Sequence, residues 1–191
     1  MKKIILASNS PRRKELLAGL GHPFEVRLLN GIDESYPETL RGGEIAAHIS
    51  RVKAEAYHAT MAADELIITA DTIVCLDEQV LGKPTDEADA IAMLRSLSGR
   101  THQVYTGVTL STVDKTTTFV SCSDVTFASL TDQEIHHYVA HYRPMDKAGA
   151  YGIQGLGSLL VEGIEGDFFN VMGLPLLRLS RMLKHFGVTL L

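Results

Sequence analysis

One aspartate stands in the middle of an apolar stretch. Asp71 interrupts Ile67-Ile68-Thr69-Ala70-Asp71-Thr72-Ile73-Val74. An ionised carboxylate in a buried strand costs on the order of several kcal/mol unless a cation pairs with it. Such a residue is a paired structural ion, a surfacing position, or a working group; as a working group it is a metal ligand or a general base. A second feature lies near the chain start, at Ser8-Asn9-Ser10-Pro11-Arg12-Arg13. A strand ends there, a polar loop follows and a helix begins. Helix starts present free backbone N–H groups and partial positive charge, so two arginines in the first turn oppose the dipole. A bound phosphate reverses that sign, since it gains from Arg12, Arg13 and the helix end together, with Ser8 and Ser10 beside it. The chemistry expected of this pair of features is phosphate binding opposite a carboxylate.

Other charged positions are weaker alone. Lys83 sits in the rigid turn Gly82-Lys83-Pro84, which aims its ammonium. Lys53 lies on a long helix, where most lysines are solvated. Glu34 follows the second strand in a loop, placed to complete a metal shell with Asp71. Hard cations such as Mg²⁺ take carboxylate, water and phosphate oxygens, so few protein ligands are required. His137 and His141 stand one helical turn apart, but Tyr138 occupies the place of a zinc-protease glutamate and no third ligand is evident. Gly152-Ile153-Gln154-Gly155-Leu156-Gly157 lacks the spacing and context of a dinucleotide loop.

The elements that must position these residues follow from pattern. Lys3 to Ala7 reads as a short buried strand. Ser10 caps the next helix, Pro11 takes its first position and Gly21 closes it. Phe24 to Leu29 is a second strand, and a helix is expected from about Gly43 to Met61. Leu66 to Leu76 is a central strand buried on both faces, returning through Glu78-Gln79 to Leu81. Thr85 caps a helix ending at Gly99. Val104 to Val113 and Thr117 to Phe127 form a hairpin around Asp114-Lys115, Thr131 starts another helix, and Leu174 to Phe186 is the last. The glycine-rich run Ala148 to Gly166 alternates turns with short strands. Irregular alternation of strands and helices predicts an α/β fold with a mixed sheet.

Composition limits the partners. The chain has 191 residues, 45% apolar and 21% charged, enough for a real core. A formal net charge of −5 argues against a nucleic-acid binder. Cys75 and Cys122 argue against a disulfide scaffold and fit a reducing compartment. The first apolar run, Ile4 to Ala7, is too short for a signal sequence, and no stretch approaches membrane-spanning length. A cytoplasmic protein with no membrane partner is expected.

Leu6-Ala7-Ser8-Asn9-Ser10-Pro11-Arg12-Arg13-Lys14-Glu15-Leu16-Leu17 resembles the N-terminal signature of the Maf family of nucleotide pyrophosphatases. The likeness continues through Lys53-Ala54, Ala70-Asp71-Thr72, Gly82-Lys83-Pro84, Leu97 to His102 and Asp146 to Gly155, and ends at Gly173-Leu174-Pro175-Leu176. The resemblance implies an elongated, mixed-sheet α/β fold with two lobes around a central cleft (Maf / inosine triphosphatase-like), as a single domain over residues 1–191. It implies a homodimer that cuts nucleoside triphosphates to monophosphate and pyrophosphate with a divalent cation (Mg, Mn or Co). That is a house-cleaning activity with a link to cell-division control. It implies Asp71 as general base and links Arg12, Thr72 and Gln154 to substrate choice. The run from Asp146 to Gly155 is similar to the branch preferring dTTP and UTP. Expected substrate-binding residues are Ser8, Ser10, Arg12, Arg13, Lys53, Thr72, Lys83 and Gln154, with Glu34 and Asp71 on the metal. The rival expectations are a 7-methyl-GTP pyrophosphatase and a nucleotide-binding regulator of septum formation without turnover.

Overall fold

The structure, a computed structural model, describes residues 2–191. Among these residues one seven-stranded mixed sheet carries helices on both faces. Strands β1 (Lys3–Leu6), β2 (Phe24–Val26) and β3 (Glu65–Leu76) run parallel, with β1 in the middle. The short β4 (Gln79–Leu81) returns antiparallel along the far end of β3. The long β5 (Thr101–Ser111), β6 (Thr116–Phe127) and β7 (Val161–Glu165) extend the sheet antiparallel from the other edge of β3.

The spine of the molecule is β3, and period-two alternation sorts its side chains. Odd positions Ile73 and Cys75 pack against Ile45, Ala46 and Ile49 of α2 (Gly43–Glu55). Even positions divide between two cores. Leu66, Ile68 and Ala70 join Leu17 of α1 (Pro11–Ala18) and Leu179 and Leu183 of α6 (Leu176–Lys184). Val74 and Leu76 join Leu94 and Leu97 of α3 (Glu87–Leu97) and Ile135 and Tyr138 of α4 (Asp132–Tyr142). Each fully buried Leu or Ile contributes about 1.5–3 kcal/mol, so both clusters hold their lobes firmly. Thr72 falls between Ala70 and Val74, where one core stops and the next begins.

Helix α2 reaches β3 because β5 lets it come close. A Cβ on Gly107 would lie 2.4 Å from the Ala46 carbonyl. No other residue fits there without moving the helix.

Several boundaries differ from the sequence pattern for identifiable reasons. Helix α2 ends at Glu55 rather than near Met61, followed by a 3-10 turn at His58–Thr60. Tyr57 turns into the core beside Ile5 and Ile67, and its hydroxyl donates to the Arg27 carbonyl. Asp86, not Thr85, caps α3 by accepting from Asp89 N at 2.8 Å. Strand β2 stops at Val26, once its partner β1 has ended. The glycine-rich run holds 3-10 turns at Ala148–Ala150 and Gly155–Leu159 before β7. One helix is added to the expected set: α5 (Phe168–Met172), capped by Asp167 and closed by Gly173 at φ 106°.

Candidate active site

The site is built at a gap in the edge of β3. Its pairing with β1 covers Glu65–Ile68, and its pairing with β4 begins at Val74. Ala7 N donates to Ile68 O at 2.9 Å, the last backbone contact between β3 and the β1 segment. Residues 69–73 keep only their β5 partners. A strand edge left open in a core must be satisfied by other groups, and here a guanidinium does it. Arg13 Nη1 donates to Ala70 O at 3.0 Å, Nη2 to Thr72 Oγ1 at 2.9 Å and Nε to Gly173 O at 2.7 Å. Burial pulls the Arg13 pKa below its ordinary value while the Asp71 carboxylate opposes the shift. Most of its donors are thus committed to holding β3 against α1 and the end of α5.

The loop before α1 matches its sequence. Ser10 Oγ accepts from Arg13 N, Ser8 Oγ accepts from Ser10 N at 3.2 Å, and Pro11 opens the helix. This turn lines a cleft of about 780 Å³. That cleft is lined by Ser8, Ser10, Arg12, Arg13, Glu34, Lys53, Asp71, Thr72 and Lys83, so nine of the expected residues meet on one cavity. Gln154 does not line it; Gly152 and Ile153 just before it do, and Gln154 heads the 3-10 turn that follows.

Asp71 sits on the α2 side of β3 and meets a cation there. Lys53 Nζ lies 2.9 Å from Asp71 Oδ1 and 3.2 Å from Glu34 Oε2. The Lys53 and Asp71 side chains are each 15% exposed, and Glu34 is 54% exposed. Two carboxylates therefore converge on one positive centre. Among the described residues no cluster of three or more His, Cys, Asp or Glu side chains surrounds a common point. A pair of carboxylates open to a wide cleft is a donor set that fits a hard cation completing its shell with phosphate and water oxygens. Arg12, Lys14 and Lys83 carry no ion pair among the described residues, which leaves three positive charges unpaired in the same cleft.

Part of the wall lies outside the expected site residues. Asp146 and Lys147 line the cleft, paired at 2.7 Å, with the Lys147 ammonium 5.0 Å from the Tyr142 ring centre. Their segment is fastened from below. Gly152 N donates to Tyr138 Oη at 3.1 Å, and Tyr151 Oη lies 2.7 Å from His102 Nε2 in the core. Burial holds the His102 pKa down to about 4 and pushes the Tyr151 phenol up. A Cβ on Gly157 would fall 1.6 Å from the Gly152 carbonyl, so that turn closes only with glycine. Asp146 and Lys147 were visible as adjacent charges, but nothing in their spacing points to the cleft. His137 and His141 stack at 4.0 Å between ring centres on the exposed face of α4.

The profile of the Maf-like protein family matches residues 3–186. A dTTP/UTP pyrophosphatase of Phocaeicola vulgatus is 60% identical over 183 residues, covering 95% of each chain. A dTTP/UTP pyrophosphatase of Bacteroides thetaiotaomicron is 56% identical over 183 residues, again covering 95% of each. Among solved structures, a HAM1 protein from Coxiella burnetii superposes with a TM-score of 0.50 at 15% identity, covering 97% of this chain and 100% of that one, a likeness of fold.

Proposed function

The chain belongs to the Maf family, and on that premise we propose that it hydrolyses dTTP and UTP, and modified pyrimidine analogues, to the monophosphate and pyrophosphate. The observation that carries this reading is the meeting in one cleft of unpaired Arg12 and Lys83 with the converging carboxylates Glu34 and Asp71. Relatives at 60% and 56% identity bear the same activity in their names.

In the proposed reaction the triphosphate lies along the start of α1, its charge met by Arg12, Lys83 and the free N–H groups of the helix. Ser8 and Ser10 border the phosphates, and Arg13 keeps the wall in place. Glu34 and Asp71 would hold a divalent cation, which when bound would supply charge neutralisation to the phosphates. Lys53 engages Asp71 through Oδ1, which leaves Oδ2 to take a proton from water. The water oxygen bonds to the α phosphorus as the bond to the bridging oxygen breaks, and pyrophosphate leaves with that electron pair. Positioning and charge stabilisation carry most of the acceleration. The segment bearing Gln154 meets the base.

No helix among the described residues is long and apolar enough to cross a membrane. The net charge of −5 supports a protein without a nucleic-acid partner. We infer a cytoplasmic homodimer of one domain over residues 1–191.

Incubation with dTTP, UTP, CTP, GTP and 7-methyl-GTP under one set of Mg²⁺ or Mn²⁺ conditions tests the activity. Pyrophosphate and monophosphate from dTTP and UTP are expected. Orthophosphate and diphosphate as the products would overturn the cleavage site, and preferred turnover of 7-methyl-GTP would overturn the substrate.

A further inference from the structure

A chain of hydroxyls behind the cleft has its protons allotted without ambiguity. Thr106 Oγ1 lies 2.9 Å from the carbonyl oxygen of Asn170 and 2.8 Å from Thr72 Oγ1. A carbonyl only accepts, so the single proton of Thr106 belongs to Asn170. The contact between the two hydroxyls then requires the proton of Thr72. Arg13 Nη2, which only donates, meets Thr72 Oγ1 at 2.9 Å. Thr72 has therefore committed its proton and one lone pair, and a second lone pair remains.

Thr72 and Gly173 both line the cleft. A Cβ on Gly173 would stand 3.3 Å from Thr72 Oγ1, in the space its absence leaves free. The allotment is held rigidly. Asn170 is fully buried, its Nδ2 donates to Val104 O at 3.0 Å and Ser123 Oγ at 2.9 Å, and its carbonyl also accepts from Gly173 N at 2.9 Å. Thr106 is fully buried as well and touches no ligand space.

We propose that Thr106 is a positioning residue for base choice: by holding the Thr72 proton it makes Thr72 an obligate acceptor at the cleft wall. Such an acceptor suits a pyrimidine with an N–H at N3, as in uracil and thymine, and repels the N3 lone pair of cytosine. This rests on the reading of the cleft as a dTTP and UTP site. It supplies a polarity that Gln154 alone does not, because a side-chain amide reverses its donor and acceptor by flipping.

The test compares kcat/KM for UTP and CTP in the full chain, in Thr106→Val and in Thr106→Ser. Valine keeps the branched shape but accepts nothing, so Thr72 is released to turn its proton toward the cleft. The UTP-to-CTP ratio is expected to fall about tenfold, the worth of roughly one hydrogen bond, with CTP gaining most. Serine is expected to restore it. Thermal melting of each variant checks that the fold stands. Should Thr106→Val not fold, Thr72→Val is read instead, and there UTP is expected to lose while CTP does not. An unchanged ratio in a folded Thr106→Val or Thr72→Val protein, or no preference for UTP over CTP in the unaltered chain, overturns the role of Thr106. A chain that turns over neither UTP nor dTTP overturns instead the reading beneath it.

Discussion

The ammonium of Lys53 lies 2.9 Å from Asp71 Oδ1, and each side chain is only 15% exposed. This pairing explains how a carboxylate survives in the apolar run of β3, and it joins two residues whose individual signals differ greatly. The same ammonium reaches Glu34 at 3.2 Å, so one cation gathers both carboxylates of the cleft.

Removing that cation leaves Asp71 charged and unpaired. Lys53→Met is expected to cost about 1–3 kcal/mol of stability, and adding Asp71→Asn is expected to recover part of it. Urea unfolding of both single variants and the double variant measures the coupling. Without the ammonium, Mn²⁺ binding measured in the absence of nucleotide is expected to tighten. Additive stabilities together with unaltered Mn²⁺ affinity would show that the three groups do not share a centre.

The two neighbouring arginines divide their work. Arg13 ties together Ala70, Thr72 and Gly173, contacts that a lysine has too few donors to reproduce. Arg13→Lys is expected to lower stability by about 2–4 kcal/mol, a fall in melting temperature on the order of 5–15 °C for a chain of this size. Arg12→Ala is expected to melt within about 2 °C of the unaltered protein while KM for the triphosphate rises about tenfold or more. A reversed pattern, with Arg12 stabilising and Arg13 dispensable, would contradict the division.

Stability should fall in mild acid because of one histidine. His102 is fully buried, and its pKa drops from 6.5 to about 4 on folding. The unfolded chain therefore binds a proton below pH 6.5 that the folded chain refuses until pH 4. The neutral-His contribution is complete above 6.5 and is lost as pH falls toward 4, a change on the order of 3 kcal/mol. Glu65, held down to about 2 by its contact with Arg27, acts in a separate window below pH 4.5. Unfolding free energies of the unaltered chain and His102→Gln between pH 7 and 4.5 are expected to converge as pH falls. Parallel curves would remove His102 as the cause.

How far this site was legible in the sequence depends on what kind of atom each contact uses. Asp71 stood out because a charge in an apolar run contradicts its surroundings, and Ser10-Pro11 marks a helix start by cap chemistry. The bracing role of Arg13 left no such trace. Two of its acceptors are backbone carbonyls, of Ala70 and Gly173, which any residue supplies. Lys53 looked like a solvated helix residue because its partner is reached only when α2 lies on β3, and that approach is set by Gly107 on a third element. The hairpin β5–β6 and the central strand were readable from alternation and apolar length. Helix α5 was missed because five residues are too few for a helical period to register, although Asp167 and Gly173 punctuate both its ends.

Asp71 is the group that takes the proton from water in the proposed reaction. Asp71→Asn keeps the shape and removes the basicity, so turnover of UTP is expected to fall at least about 10³-fold, while the melting temperature stays within a few degrees and the variant still binds the nucleotide in equilibrium titration. Near-normal pyrophosphate release by a folded Asp71→Asn protein would contradict it.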